Sequence, residues 1–215
     1  MEGRHAEALH GFEWFHRHAL EHERSLYGVR LSFALSYWVD LGKVYPKALR
    51  SLERMRRGKT AALRKGRGSQ DIFHDVAAIN RVMNRPGDTY RLFRWLERRR
   101  PKLAARCARV ALPAIVKVRD FEMARRHVDP EDRVARYAKF MNRELPRIPE
   151  YKRRTGSKAP MRYAYISNYC DDATLLIRIL RGVGERTRAA RLREAAVALL
   201  DSRAARREVV ERLGA

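Results

Sequence analysis

Apolar residues recur at three- and four-residue steps along almost the whole of this chain, and hardly any stretch alternates apolar with polar residues as a half-buried strand must. A chain patterned this way can bury its apolar surface only by packing helices on helices, so the sequence predicts an all-α fold. Tyr27, Leu31, Ala34, Leu35, Trp38 and Leu41 fall on one helical stripe, with Gly42 loosening its end. Pro46 suits the first turn of the next helix, whose apolar side is Ala48, Leu49, Leu52 and Met55. Ser69 or Asp71 can cap a helix carrying Ile72, Phe73, Val76, Ala77 and Met83, which Pro86-Gly87 should close. Asp88 can then cap a helix with Leu92, Phe93 and Leu96.

Pro101 opens another helix, which Pro113 should kink or split in two. Asp120 caps a short helix, and Asp129-Pro130-Glu131-Asp132 combines a cap, a proline at the first helical position and acids facing the positive dipole end. From Leu145 to Pro160 the pattern fails, and four prolines and glycines punctuate a long basic loop. Helical spacing resumes with Tyr165, Tyr169, Leu176 and Leu180, breaks at Gly182 and Gly184, and ends with a helix from Ser202 that carries Val209 and Leu213. About ten short helices joined by short breaks point to stacked antiparallel pairs. The expected organisation is a helical-repeat region over 1–144, a basic loop over 145–160, and helices over 161–215 packed on the same domain.

Charge decides what such a stack would meet. The chain carries 48 Lys and Arg against 25 Asp and Glu, a formal net charge of +23, which attracts polyanions. The first 24 residues run the other way, with three basic residues against five acids. Three foci carry the excess. Arg54, Arg56, Arg57, Lys59, Arg64, Lys65 and Arg67 form the first, and Arg98, Arg99, Arg100 and Lys102 the second. The third runs from Arg147 to Lys158 through Lys152, Arg153 and Arg154, with Tyr151 available for stacking on a base. These are the candidate anion- or nucleic-acid-binding residues.

Other chemistry is sparse. The apolar stretch from Leu31 to Val39 is far shorter than the roughly 20 residues a bilayer requires, so no membrane partner is expected. The first residues lack the apolar core of a secretory signal, and the chain reads as cytoplasmic. Cys107 and Cys170 stand apart and read as reduced packing residues. His18 and His22, four apart with Glu21 between them, are the candidate metal ligands, although an exposed helix with incidental histidines explains them more simply. Asp71, His74 and Asp75 could supply ligands or an acid–base pair, but a cap and an interface histidine account for them too. Gly58-Lys59-Thr60 ends like a phosphate-binding loop, yet Glu53 stands where the first glycine belongs and no strand precedes it. No catalytic residue and no cofactor is expected.

Arg119-Asp120-Phe121-Glu122-Met123-Ala124 resembles the turn and second helix of a tetratricopeptide repeat, in which an aromatic precedes a close-packed alanine. Lys43-Val44-Tyr45-Pro46-Lys47-Ala48 repeats that spacing after a helix with Leu35 and Trp38, and Pro86-Gly87-Asp88-Thr89-Tyr90 is a weaker instance. Over roughly residues 25–130 the chain is similar to tetratricopeptide-like α-solenoids at unequal spacing, with Arg119 where that family usually has glycine. The resemblance implies a curved helical stack that binds another macromolecule. Separately, Arg17 and His22 match the Arg-x4-His spacing of HEPN ribonucleases. The primary functional expectation is a non-enzymatic scaffold for a protein partner with an acidic surface. The alternative is a sequence-nonspecific RNA- or DNA-backbone binder, and the remote one a HEPN-like ribonuclease.

Overall fold

A computed structural model describes residues 2–148 and 160–214 and places them almost entirely in α-helices, with no β-strand among the described residues. The chain divides into two compact units, Met1–Val118 and Arg119–Ala215.

The first unit holds α1 (Glu2–His22), α2 (Tyr27–Leu31), α3 (Phe33–Val44), α4 (Pro46–Arg64), α5 (Gln70–Val82), α6 (Pro86–Arg99) and α7 (Pro101–Lys117), with a 3-10 turn at Arg24–Leu26. From α3 to α7 each helix packs on the next, and α5 also packs on α7. The stripe from Tyr27 to Leu41 is interrupted at Ser32, whose hydroxyl donates to Gly28 O at 2.7 Å, so it spans two helices. Its apolar side chains still converge: Leu31, Leu35 and Trp38 are buried with Ala48, Leu52, Ala78 and Ile79, each large one contributing about 1.5–3 kcal/mol. Trp38 Nε1 donates to Ala48 O at 3.0 Å, which satisfies the indole as it is buried.

Three local expectations are corrected. Gly42 does not loosen α3: it lies inside the helix, buried, and a Cβ there would strike the Leu49 side chain of α4, so it permits close approach of two helices. Pro86-Gly87 does not close a helix but opens α6, with Pro86 at its first turn and Asp88 inside that turn. The preceding helix ends instead at Val82, and Asn84 just beyond it, at a φ of +52°, lets Arg85 N–H reach back to Asn80 O at 2.7 Å. Pro113 does not split α7, whose buried stripe of Leu103, Cys107, Ala111, Leu112 and Ile115 runs past it and holds the helix together. The caps at Ser69, Asp120 and Asp129 form as the sequence predicts, and Ser202 caps α12 in the same way, each side chain accepting from the backbone N–H three residues on.

The second unit holds α8 (Phe121–Arg126), α9 (Pro130–Glu144), a 3-10 turn at Leu145–Arg147, α10 (Pro160–Gly182), α11 (Arg186–Ala198) and α12 (Arg203–Leu213). The central helix is α10, which packs on α8, α9, α11 and α12 through Ile166, Tyr169, Ala173, Leu176 and Leu180. Side chains tie each neighbour to it. Arg133 Nε donates to Asp172 Oδ2 at 2.8 Å, buried Arg162 pairs with Glu208, and Tyr169 donates to Ala196 O at 2.7 Å. Gly182 leaves room for Phe121 of α8, just as Gly42 does for Leu49. Arg119, in the position expected to want glycine, adopts a φ of +65°.

Candidate functional site

The first two basic foci meet. Arg100 sits at the corner between α6 and α7, and its Nη1 donates to Leu63 O at 3.3 Å and to Gly68 O at 3.2 Å. Those two carbonyls flank the turn that follows α4, where Gly66 at φ +81° closes the helix with Arg67 N–H bonded to Ala62 O. Two segments separated by residues 71–97 are thereby held against one another, and neither contains a carboxylate: residues 54–70 and 98–118 each carry seven Lys and Arg and no Asp or Glu. The α4–α7 stretch has 20 basic residues against five acids.

Within this corner the candidate residues take two roles. Arg64, Lys65, Arg67, Arg98, Arg99 and Lys102 are exposed and make no ion pair among the described residues, so their charge faces solvent. Arg54 and Arg57 are also exposed, higher on α4. By contrast, Arg56 bonds Glu53 at 2.6 Å and reaches Asp88 at 3.3 Å, and Lys59 donates to Asp75 at 2.5 Å. Mutual pairing holds the Glu53 carboxyl below its ordinary value, chiefly through the hydrogen bond from Arg56. Arg100 is the hinge pin of the corner rather than a free cation. Tyr151, Lys152, Arg153, Arg154 and Lys158 of the third focus lie outside the described residues.

The residues weighed for catalysis or metal binding have other occupations. His18 Nδ1 donates to Glu21 Oε2 at 2.9 Å, and both His18 and His22 set their rings within 5.6 Å of the half-exposed Trp14. Arg17 reaches toward Glu13 at 3.8 Å. Among the described residues no three His, Cys, Asp or Glu side chains come together as a metal site. His74 shares a 2.8 Å bond with the Tyr27 hydroxyl, and burial pushes its pKa down. Both thiols are buried, and that burial pushes each up to about 11, so neither is a ready nucleophile.

Asp75 is the centre of a buried charge cluster. It is 4% exposed and receives Arg30 Nη2 at 2.5 Å and Lys59 Nζ at 2.5 Å. Burial alone would raise its pKa, but the two cation bonds hold it below the ordinary carboxylate value. Arg30, 4% exposed, also donates to His16 O at 3.3 Å and lies 3.2 Å from His16 Nε2. Burial, reinforced by Arg30, pushes the His16 pKa down to about 4, so the ring is neutral at pH 7. The cluster joins α1, α2, α4 and α5, and its enclosure makes it a structural clamp.

Comparison of the chain with protein-family models, curated proteins and solved structures finds no match. Among the described residues no helix is long and apolar enough to cross a membrane.

Proposed function

We propose that this protein is a helical-stack binding protein whose α4–α5 and α6–α7 corner grips the phosphate backbone of a polynucleotide without reading its sequence. The observation that supports this reading is the bond pair from Arg100 to Leu63 O and Gly68 O, which holds two carboxylate-free segments against one another. Guanidinium groups suit phosphate, because each can offer two parallel N–H donors to two oxygens. A backbone contacted through six free cations needs no base recognition, and its affinity falls steeply with salt as counterions return. In this reading, the serial packing of α3 to α7 belongs to a tetratricopeptide-like stack, with Gly42 and Ala48 permitting the close helix approach that such repeats obtain from small residues.

A second reading, a scaffold for an acidic protein partner, draws on the exposed face of α3. Phe33, Tyr37 and Val44 stand there at helical spacing and are each more than 60% exposed, an apolar stripe of the kind that marks protein contacts. Fluorescence anisotropy separates the two. A labelled single-stranded oligonucleotide at low salt should bind and should be displaced by unlabelled RNA or DNA far better than by poly-glutamate. Failure to bind any polynucleotide at low salt removes the first reading and leaves the second.

A further inference from the structure

A cleft of about 280 Å³ opens in the first unit between α5, the start of α6, and α7. Its volume sits near the lower end of the range for small-ligand sites. Small residues make the space: Ala77 and Ala78 from α5 and Val110 and Ala114 from α7 line it, and the first two are buried. Arg81, Arg109 and Lys117 line it too, and all three are exposed, so the cations stand at the mouth and the alanines at the floor. No carboxylate is among the described residues that line it.

The cations are available to differing degrees. Arg109 makes no hydrogen bond or ion pair among the described residues. Arg81 spends one donor on Leu31 O at 2.7 Å, which anchors its guanidinium and leaves other N–H groups. Lys117 donates one of its three protons to Asn84 Oδ1 at 3.0 Å, itself a lining residue fixed by the left-handed end of α5. His74, also in the lining, is kept neutral by burial, so the positive charge of the cleft comes from the two arginines and the lysine. Thr89, 2% exposed, accepts from Asn80 Nδ2 at 3.0 Å and keeps its own proton to donate.

We infer that this cleft binds a small phosphomonoester, its phosphate held by Arg81, Arg109 and Lys117 and its apolar body seated on Ala77, Ala78, Val110 and Ala114. Three cations with no counter-carboxylate suit a dianion better than a monoanion. The apolar floor, buried at Ala77 and Ala78, distinguishes the site from the corner at Arg100, and the inference stands whether or not that corner binds polynucleotide.

Calorimetric titration of the full chain with phenyl phosphate in 0.15 M salt tests it, the salt screening the open surface. The expected result is saturable binding at one site, weaker for inorganic phosphate, which lacks the body, and weaker for benzoate, which lacks the second charge. Arg109→Gln, on an exposed and unpaired side chain, should lower affinity about tenfold or more with the fold intact by circular dichroism. Ala114→Leu, which fills the floor, should lower the affinity for phenyl phosphate more than that for inorganic phosphate. Absence of saturation up to about 10 mM overturns the inference. So does equal affinity for phenyl and inorganic phosphate, or binding that Arg109→Gln leaves unchanged, since phosphate merely condensing on a basic surface would behave that way.

Discussion

Arg30 and Asp75, 45 residues apart in the chain, form a buried ion pair at 2.5 Å in which both side chains are about 5% exposed. The pair is incompletely satisfied, because Arg30 Nε is buried without a hydrogen-bond partner among the described residues. Such a pair contributes little net stability but is costly to break, since removing one member strands the other charge in a poorly solvated site.

Asp75→Ala should therefore destabilise the protein by about 3–5 kcal/mol, measured by urea unfolding. Replacing both members with apolar residues, Arg30→Met with Asp75→Leu, should cost less than Asp75→Ala alone. If the double variant is the less stable, the clamp is worth more than its desolvation and this account of it fails.

His16 gives the clamp an acid limit. Its pKa is about 4 folded against 6.5 for a free histidine, so between those values the unfolded chain binds the extra proton. Stability should be complete above about pH 6.5 and fall by roughly 3 kcal/mol as pH drops toward 4, with the depressed Asp75 carboxyl adding further loss below that. Urea midpoints across pH 4–7 check this. His16→Gln should flatten most of that fall, the lowered pKa of His74 supplying the remainder. An unflattened curve would show that the histidine is not what limits acid stability.

Gly42 sets the spacing of α3 against α4. Gly42→Ala should destabilise by about 1–3 kcal/mol despite the better helix propensity of alanine, because its Cβ meets Leu49. Adding Leu49→Ala should make the glycine-to-alanine change close to neutral, a coupling that a double-mutant cycle on thermal midpoints would detect. Additive effects would mean that the contact is not what the glycine serves.

The helices were legible in the sequence because the signals that start and space them are local. A capping Ser69 or Asp129, a proline at a first turn, and the stripe of α7 all act within a few residues. The clamp was not legible, since Arg30 is one cation among 48 Lys and Arg and nothing near it in sequence marks it as buried. A signal did exist for its partner: Asp75 stands inside the run of Phe73, Val76 and Ile79, and an acid on an apolar face must be paired. The basic foci could be named, but their meeting at Arg100 depends on where the α6–α7 corner lands on α4, a tertiary fact. The cleft left no trace at all, because Ala77, Ala78 and Ala114 read only as good helix formers.

If the two foci form one polyanion site, the salt dependence of oligonucleotide binding must draw on both of them. Two variants are needed, one carrying Arg64→Gln, Lys65→Gln and Arg67→Gln, the other Arg98→Gln, Arg99→Gln and Lys102→Gln. Each should lower the log-log slope of affinity against salt by about 2 for a single strand, as expected when roughly three phosphate contacts are lost. A slope unchanged in both variants would contradict the claim, placing any polynucleotide binding elsewhere on the protein.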